Sequence, residues 1–370
     1  MKTNKINIKA NNFSYSIYFG NNLIESFDKI VKKEKIFFNK YLIIVDHNIN
    51  KKNLSILKTS NKKQKKYIFN FISSEKNKNY KTVEKIIKFL LINNFSRNDC
   101  IVALGGGITG DLAGFVASIY KRGMKFINIP TTLLAQVDAS IGGKTGINEK
   151  KFGKNLIGTF FQPNLVLSDT KFLKTLNKKN LICGYAEILK HSLIKNKSNF
   201  NYLDANYDKI LSLRNPFLMK AILESCKIKK NVVERDINEN QLRKVLNLGH
   251  TFGHAYEAAA GFKNKLNHGE GVLLGIKSAA KFSLNENYIS KENYLKIIQH
   301  LNKINFTLRL RNYFENRDIN RLVSFMLNDK KNKSKKINLV LLKGIGQPLI
   351  NKTFKTQKIK KFFKKELIYI

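Results

Sequence analysis

Cysteine is scarce in this 370-residue sequence, which has only three, at positions 100, 183 and 226. Their number is odd and they lie far apart, so there is no CxxC pair and a disulfide framework is not expected. We therefore expect a protein of a reducing compartment. With 43% hydrophobic residues the chain can bury a large core, and at about 150 residues per domain its length predicts two or three domains.

Long apolar runs are lacking as well. The one segment that resembles a membrane span, residues 101–120, carries Asp111 near its middle and five glycines, so a buried strand, turn and helix is the better interpretation. The basic N-terminal residues are not followed by a continuous apolar stretch or a small-residue cleavage site. We therefore predict a cytoplasmic protein with no membrane partner.

Acidic residues are few: 26 Asp and Glu stand against 68 Lys and Arg, which gives a formal net charge of +42. Such a charge suggests a polyanionic partner, for example nucleic acid. Only nine of the cations are Arg, however, and bidentate recognition of phosphates and bases tends to select Arg. We therefore interpret most of the Lys as solvated surface and predict no specific nucleic-acid partner.

Short apolar runs alternate with amphipathic stretches in the first half of the chain. The predicted strands are 41–45, 66–71, 101–104, 126–129 and 165–167, and residues 82–93 have apolar positions at helical spacing. This alternation predicts a parallel sheet with crossover helices. Helical periodicity then dominates in 181–195, 216–234, 251–260 and 271–284. The predicted fold class is α/β, with an α/β domain over 1–176 and a mostly α-helical domain over 177–370.

A glycine-rich turn, Gly105-Gly106-Gly107-Ile108-Thr109-Gly110-Asp111, follows a predicted strand and precedes a predicted helix. Its GxGxxG spacing suits a pyrophosphate held by backbone N–H groups at a helix N-terminus, although a tight strand-to-helix turn has the same pattern. The usual acid at the end of the next strand is missing, and Asp46, after an earlier strand, is the nearest candidate. A dinucleotide site here would not be the standard first turn of the fold.

A second glycine pair, Gly142-Gly143-Lys144-Thr145, resembles the end of a P-loop. Asp138 occupies the position where a P-loop needs glycine, so an NTPase is excluded. We expect a glycine-flexed loop that holds Asp138 and Lys144, with Lys144 as an anion ligand or as part of a solvated turn.

Histidine is also rare, with six residues, and three of them fall in two short segments. The segment 247–257 places His250 and His254 one helical turn apart on one face, and His268 begins another apolar helix. Such a cluster indicates a divalent metal, zinc first, completed by a carboxylate and leaving open positions for substrate. Glu187, Glu257 and Glu270 are the candidate carboxylates, and spacing does not choose among them.

Six segments in the same order together resemble the 3-dehydroquinate synthase family. They are GGGITGD, IPTTLLAQVDASIGGKTGIN, KNLIGTFFQP, CGYAEILKHSLI, LRKVLNLGHTFGHAYE and LNHGEGV. The resemblance extends from about residue 46 to residue 346. It implies an N-terminal Rossmann-like parallel-sheet domain, a helical C-terminal domain, and activity in the shikimate pathway of aromatic amino acid biosynthesis.

The resemblance also implies a role for each residue that matches a family motif. It implies the metal ligands Glu187, His250 and His268. It implies NAD-binding residues, namely Asp46, His47, Asn48, Glu75, Lys78, Gly106, Gly107, Asp111, Thr131, Thr132, Lys154, Phe172, Leu173, Lys174 and Thr175. It implies catalytic and substrate-binding residues, namely the acid–base residue His254 with Arg122, Asp138, Lys144, Asn155, Lys190, Lys229, Arg243, Asn247 and a lysine of Asp329-Lys330-Lys331.

The implied substrate is a small anion, 3-deoxy-D-arabino-heptulosonate 7-phosphate, and the implied products are 3-dehydroquinate and phosphate. A hydride passes to NAD, phosphate leaves by β-elimination, the hydride returns, and ring opening with an intramolecular aldol step closes the carbocycle. Zinc, or Co²⁺ in its place, suits the oxidation because a Lewis acid lowers the pKa of a bound hydroxyl. We also expect a homodimer.

Three alternatives remain open. Related cyclases form deoxyinosose or valiolone-type rings, and metal-dependent polyol dehydrogenases share the fold, but Arg122, Lys229 and Arg243 together favour a carboxylated substrate. A basic nucleic-acid-binding protein would have to explain the charge without RNP-type aromatics, a zinc-finger spacing or an Arg cluster. An inactive homologue that serves as a scaffold is the third.

Overall fold

The computed structural model describes residues 3–10, 13–59, 64–150, 153–239, 241–261, 266–304, 309–327 and 336–368. The chain divides into two compact units, Met1–Asn177 and Lys178–Ile370. The lysines of segment 329–331, to which the family resemblance assigns a substrate contact, lie outside the described residues.

The N-terminal unit is built on a seven-stranded sheet. Its strands are β1 (Asn4–Ala10), β2 (Phe13–Gly20), β3 (Lys40–Asp46), β4 (Lys65–Phe71), β5 (Cys100–Gly105), β6 (Lys125–Pro130) and β9 (Leu165–Asp169). They run in the order β1-β2-β9-β6-β5-β3-β4, antiparallel between β1 and β2 and parallel elsewhere. The predicted parallel sheet with crossover helices is confirmed.

Both faces of this sheet are buried, which explains its continuous apolar strands. Its helices are α1 (Phe27–Lys33), α2 (Lys51–Thr59), α3 (Tyr80–Ile92) and α4 (Gly107–Ile119). Alternate residues of β3 enter two different clusters: Ile43 joins the core with Ile30 of α1, and Ile44 joins the core with Ile86 of α3 and Val116 of α4. The sheet is therefore rigid where its strands end, which is where the candidate cofactor residues begin.

The strand order reverses between β3 and β5. The chain goes outward from β3 to β4, returns to place β5 on the other side of β3, and continues to β6. In open α/β sheets, ligands bind outside the carboxyl ends of the strands at such a reversal. The register pairs Val45 with Leu104, so Asp46 at the end of β3 comes beside Gly105 at the end of β5. The folded sheet thus places Asp46 beside the glycine-rich turn.

A β-hairpin takes the place of the loop predicted around Lys144. Lys144 begins β7 (Lys144–Glu149), which pairs with β8 (Gly153–Phe160), and Asp138 lies in a π-helical turn, Ala135–Ala139. Gly142 and Gly143 have φ of 97° and 66°, the left-handed region that glycine adopts without steric cost. The predicted glycine-flexed loop is therefore confined to the turn at residues 140–143, with Asp138 in the preceding helical turn and Lys144 in the following strand.

The C-terminal unit is mostly helical, as predicted. Its helices are α5 (Lys178–Lys195), α6 (Lys197–Leu211), α7 (Phe217–Arg235), α8 (His250–Ala259), α9 (His268–Asn285), α10 (Lys291–Lys303), α11 (Ile319–Leu327) and α12 (Thr356–Ile368). The unit also contains a hairpin of β10 (Lys336–Gly344) and β11 (Gln347–Lys355), which the sequence patterns did not predict. Strand β10 packs on α9, and β11 packs on α5. Within the described ranges, no helix is both long and apolar enough to cross a membrane.

Candidate active site

The glycine-rich turn lies between the buried strand β5 and helix α4. A Cβ on Gly105 would lie 2.3 Å from Oγ1 of Thr109, so no larger residue fits there without movement. Gly106 caps α4 without a side chain, and Thr131 donates a backbone hydrogen bond of 2.9 Å to the carbonyl of Gly105. The first N–H groups of α4 are therefore flanked by glycines, so a phosphate group can approach them closely.

One hydrogen-bond network joins several of the residues that the resemblance assigns to NAD and substrate. Nζ of Lys78, which is 3% exposed, donates to Oδ2 of Asp111 and to Oδ1 of Asn155, each at 2.5 Å. Burial raises the pKa of Asp111 above its ordinary range, although the positive charge of Lys78 opposes the shift. Lys78 therefore ties the first turns of α4 to strand β8.

Asn148 extends this network and was missed by the sequence analysis. Its Oδ1 accepts from the backbone N of Asn155 at 3.0 Å, and its Nδ2 donates to Oε2 of Glu75 at 2.7 Å. Nζ of Lys154 lies 3.3 Å from the other oxygen of Glu75. An Asn in a short polar stretch carries no distinctive sequence signal, because its partners become neighbours only in the folded hairpin.

Two residues with predicted substrate roles have left-handed backbone conformations. Arg122 has φ of 62° and Asn155 has φ of 53°. A non-glycine residue held in this region costs on the order of 1 kcal/mol or more, and such strain concentrates at functional sites. Both side chains belong to the N-terminal unit, as do those of Asp138 and Lys144.

The remaining residues assigned to NAD lie at the ends of strands or in the last turn of the unit. Asp46 accepts from the backbone and side-chain nitrogens of Asn48, each at 3.1 Å, and His47 follows directly. Phe172 and Leu173 are buried in the 3₁₀ turn Thr170–Thr175, so only their backbone is available to a ligand. Thr132 is partly exposed, Lys174 and Thr175 are exposed, and Gly107 begins α4.

In the C-terminal unit a buried carboxylate stands opposite two imidazoles. Glu187 lies on α5, is 0% exposed, and neither of its oxygens accepts a well-formed hydrogen bond from the described residues. Its Oε1 is 3.5 Å from Nε2 of His250 and 3.9 Å from Nε2 of His268. Lys190, one turn along α5, is in ion-pair contact with the other oxygen. A buried carboxylate that faces two imidazole nitrogens is a ligand set for a divalent cation.

Each imidazole in this set has its other ring nitrogen near an acceptor. Nδ1 of His250 lies 3.3 Å from the carbonyl oxygen of Leu248, and Nδ1 of His268 lies 2.9 Å from Oε1 of Glu257. A carbonyl and a carboxylate can only accept, so each Nδ1 carries a proton, and in the neutral imidazole each Nε2 then presents a lone pair. The one ligand atom offered by each of Glu187, His250 and His268 lies within 4.8 Å of the others.

The other two candidate carboxylates have different contacts. Glu257 faces the back of the His268 ring, as described above. Glu270 completes a capping box with Asn267 at the start of α9 and forms an ion pair with Lys179 at 3.3 Å. Spacing alone had left these three glutamates equivalent, and the geometry separates them. Glu187 faces both Nε2 atoms, Glu257 faces Nδ1 of His268, and Glu270 belongs to a helix capping box.

His254 lies one turn after His250 on α8 and is exposed, whereas His250 is largely buried. The ring centroid of His254 lies 5.2 Å from that of His250 and 6.2 Å from that of His268. An exposed imidazole beside a metal-ligand set can reach a substrate and exchange protons with it. Burial raises the pKa of Cys183 on α5 to about 12, so this thiol is protonated at neutral pH.

Three cations predicted to bind substrate are buried in the C-terminal unit: Lys190 and Arg243 at 2% exposure and Lys229 at 5%. Nη1 of Arg243 donates to the carbonyl of Ile237 at 2.5 Å, and its backbone N donates to Asp236. Asn247 donates from Nδ2 to Oε1 of Glu239 at 3.2 Å. Glu239, with φ of 59°, was not among the predicted site residues, because only the folded loop brings it to Asn247.

The fold is that of sugar phosphate cyclases. The chain is similar to a crystal structure of 2-deoxy-scyllo-inosose synthase complexed with carbaglucose-6-phosphate, NAD+ and Co2+, with a TM-score of 0.87, 25% identity, and coverage of 98% of this chain and 100% of that one. It has the same fold as 2-epi-5-epi-valiolone synthase from Streptomyces hygroscopicus with NAD+ and Zn2+ bound, with a TM-score of 0.84, 22% identity, and coverage of 96% and 98%.

Sequence comparison narrows this class. Residues 68–183 match the model for 3-dehydroquinate synthase N-terminal and residues 184–332 that for 3-dehydroquinate synthase C-terminal. The chain is 50% identical to 3-dehydroquinate synthase of Pelagibacter ubique, over 98% of each chain, and 36% identical to that of Bartonella quintana, over 100% of each. The chain therefore belongs to the 3-dehydroquinate synthase family of enzymes, and the resemblance inferred from its motifs is confirmed.

Proposed function

We propose that the chain converts 3-deoxy-D-arabino-heptulosonate 7-phosphate to 3-dehydroquinate and phosphate, with NAD and a divalent metal as cofactors. The observation that carries the proposal is the buried Glu187 carboxylate opposite the Nε2 atoms of His250 and His268, in a chain that belongs to this family.

The metal, Zn²⁺ or Co²⁺, is held by Glu187, His250 and His268. Two imidazole nitrogens and one carboxylate oxygen suit either ion, and three protein ligands leave positions for substrate. When bound, the metal supplies a Lewis acid that lowers the pKa of a substrate hydroxyl. Lys190 holds the second oxygen of Glu187, which leaves Oε1 as the oxygen that faces both imidazoles.

The N-terminal unit holds NAD at the reversal of its strand order. Support comes from the glycine-rich turn beside Asp46, together with the network of Glu75, Lys78 and Asp111. When bound, NAD supplies a hydride acceptor that is reduced and then reoxidised in each turnover. The N–H groups at the start of α4 bind its pyrophosphate, and Lys154 and the 170–175 turn complete the assigned contacts.

His254 serves as the acid–base residue. Its ring is exposed next to the buried ligand His250, so it can take a proton from a substrate hydroxyl and later return one at its ring nitrogens. We do not assign the acid–base role to the two glutamates near it, because Glu187 faces His250 and Glu257 faces His268.

Buried cations bind the two anionic groups of the substrate. Lys190, Lys229 and Arg243 are desolvated, and a cation removed from water pairs more strongly with a carboxylate or phosphate than a surface one does. Arg243 offers a planar fork suited to a carboxylate. We assign Arg122, Asp138, Lys144, Asn155 and Asn247 to the remaining substrate contacts.

Phosphate release and 3-dehydroquinate formation test the proposal directly. Purified protein is incubated with the heptulosonate phosphate and substoichiometric NAD, and we expect equal amounts of both products over many turnovers. Glucose 6-phosphate serves as the parallel substrate, because a cyclase of the deoxyinosose type would turn it over instead. Net NADH accumulation with simple polyols would indicate a polyol dehydrogenase, and no turnover of any of these would indicate an inactive scaffold.

The proposal extends to assembly and location: a cytoplasmic homodimer without a specific nucleic-acid partner. Ile119 on α4 and Leu156 and Phe160 on β8 are each at least 40% exposed in the same unit, which supports a covered surface there. Light scattering of the purified protein tests the dimer. Nucleic-acid binding that persists at physiological salt and depends on sequence would contradict the interpretation of the lysines as solvated surface.

A further inference from the structure

We propose that Glu257 is a positioning residue that holds the imidazole of His268 in the orientation required of a metal ligand. The inference rests on the proposed metal site and concerns a residue that spacing had left as one of three candidate ligands. It draws on three observations: the contact between the two side chains, the exposure of His268, and the close packing of α8 on α9.

The contact fixes which nitrogen of His268 points toward Glu187. Oε1 of Glu257 lies 2.9 Å from Nδ1 of His268, and because a carboxylate only accepts, Nδ1 must donate. Nε2 then carries the lone pair and lies 3.9 Å from Oε1 of Glu187. A carboxylate behind a ligating imidazole also raises the basicity of that ligand.

His268 needs such a partner more than His250 does. Its side chain is 35% exposed and it begins α9, whereas the side chain of His250 is 12% exposed. An exposed ring at a helix end has rotational freedom, and the entropy of that freedom opposes metal binding. Glu257, at 13% exposure, is itself well packed and can restrict the ring.

The charge of Glu257 adds to this effect. Glu187 is in ion-pair contact with Lys190, so the negative charge it offers a cation is offset by a neighbouring positive one. A second carboxylate, placed behind His268, restores negative charge around the ligand set without occupying a coordination position. A change of Glu257 to Gln should therefore weaken cation binding even where its amide oxygen still accepts from Nδ1.

Close helix packing allows the short contact. A Cβ on Gly253 of α8 would lie 2.7 Å from the carbonyl oxygen of Gly271 on α9, so the two backbones approach without side chains between them. A Cβ on Gly271 would lie 3.0 Å from both Cγ and Oε1 of Glu257. Glycine at positions 253 and 271 therefore lets the two helices approach closely enough for Glu257 to reach His268.

The experiment measures metal affinity as well as activity. Metal-free wild type, Glu257→Gln and Glu257→Asp are titrated with Zn²⁺ in competition with a chromophoric chelator, and the visible spectrum of each Co²⁺-loaded protein is recorded. Tyr256→Phe is the matched control. Tyr256 is next to Glu257 on α8, and the variant removes the 2.8 Å contact of its buried hydroxyl with Oγ of Ser278 on α9 without touching His268.

We expect Glu257→Gln to lose about 10- to 100-fold in Zn²⁺ affinity, with the Co²⁺ coordination number unchanged. Glu257→Asp keeps the charge but withdraws the carboxylate from Nδ1 by one methylene, so it should lose affinity in the same direction by a smaller factor. Tyr256→Phe should unfold at lower temperature while binding Zn²⁺ within about twofold of wild type, which separates positioning from general loss of stability.

Wild-type affinity in Glu257→Gln would overturn the positioning role while leaving the proposed function intact. A changed Co²⁺ coordination number would also overturn it, because Glu257 would then be a direct ligand, for which His254, Glu257 and His268 offer a geometrically feasible set. If Glu257→Gln does not fold, wild-type affinity in Glu257→Asp decides against the proposal. Failure of the wild-type protein to bind metal would overturn the metal site itself, and the positioning role with it.

Discussion

Nε2 of His250 lies 3.5 Å from Oε1 of Glu187, a carboxylate with no solvent exposure on a different helix. Lys190 pairs with the other oxygen of this carboxylate, and Oε1 faces two imidazole nitrogens, which is the arrangement of a divalent-cation site. Glu187→Gln should lose bound metal and turnover by more than the roughly 10- to 100-fold expected for an outer partner such as Glu257. Metal content by elemental analysis and product formation check this.

Glu270→Gln is the control for that prediction. It changes the N3 residue of a capping box, where Gln also accepts from the N-cap N–H, so it should keep its metal and lose less than about 0.5 kcal/mol of unfolding free energy. A full complement of tightly bound metal in Glu187→Gln would contradict the assignment of Glu187.

Substitution of His254 should lower turnover without removing the metal, unlike substitution of the metal ligands beside it. In His254→Gln we expect full metal content with kcat lower by about 10²- to 10⁴-fold, the usual range for loss of a general acid–base group. Single-turnover kinetics and metal analysis of the same preparation are the measurements. Loss of the metal from this variant would mean that His254 is a ligand.

Lys78 should be important for stability because it is almost fully buried against Asp111. Lys78→Met removes the cation and should cost roughly 2 kcal/mol, below the 3–5 kcal/mol of a fully buried pair because Asp111 is 23% exposed. Urea denaturation measures the loss. Lys88→Met, which breaks the exposed pair with Glu84, should change stability by less than about 0.5 kcal/mol.

The loss in Lys78→Met should also depend on pH. Burial already raises the pKa of Asp111, and removal of Lys78 raises it further, so the folded variant binds more protons than the unfolded chain above pH 3.8. Its stability therefore falls as pH rises through the folded pKa of Asp111. We expect a larger deficit at pH 8 than at pH 5, and an equal deficit at both would contradict this account.

His300 should make the folded protein sensitive to mild acid. Its buried ring contacts the hydroxyl of Tyr185 and Oδ1 of Asp204, each at 3.0 Å. Burial lowers the pKa of His300 below 6.5, although Asp204 opposes the shift, so the unfolded chain takes up the proton first as pH falls. Stability due to His300 is thus present above pH 6.5 and is lost below it.

His300→Gln should therefore reduce the difference in unfolding free energy between pH 7 and pH 5. Burial opposes ionisation of Asp204, but hydrogen bonds from Lys303 and His300 outweigh it and lower the pKa of Asp204 below 3.8. The contribution of Asp204 is consequently lost only in stronger acid, outside the range compared. Denaturation at both pH values measures the difference, and an unchanged difference would show that His300 does not carry it.

Local patterns predicted the central strands of the sheet and several helices, because each of these depends on neighbours in sequence. Alternation of apolar runs with helical periods located β3 to β6, α3 and the long helices α5, α7, α8 and α9 within a few residues of their observed ends. The hairpins β7–β8 and β10–β11 were missed. Their strands combine polar and apolar residues and are stabilised by pairing with each other, which a window of sequence does not register.

The sequence by itself determined the α/β fold class, the glycine-rich turn and the pair of histidines one turn apart on α8, because these follow from short-range periodicity and steric demand. Only the tertiary structure decided which glutamate faces both imidazoles, which one orients His268, and that Lys78 joins Asp111 to Asn155. Those relationships depend on burial and on contacts between distant segments, so no spacing along the chain encodes them.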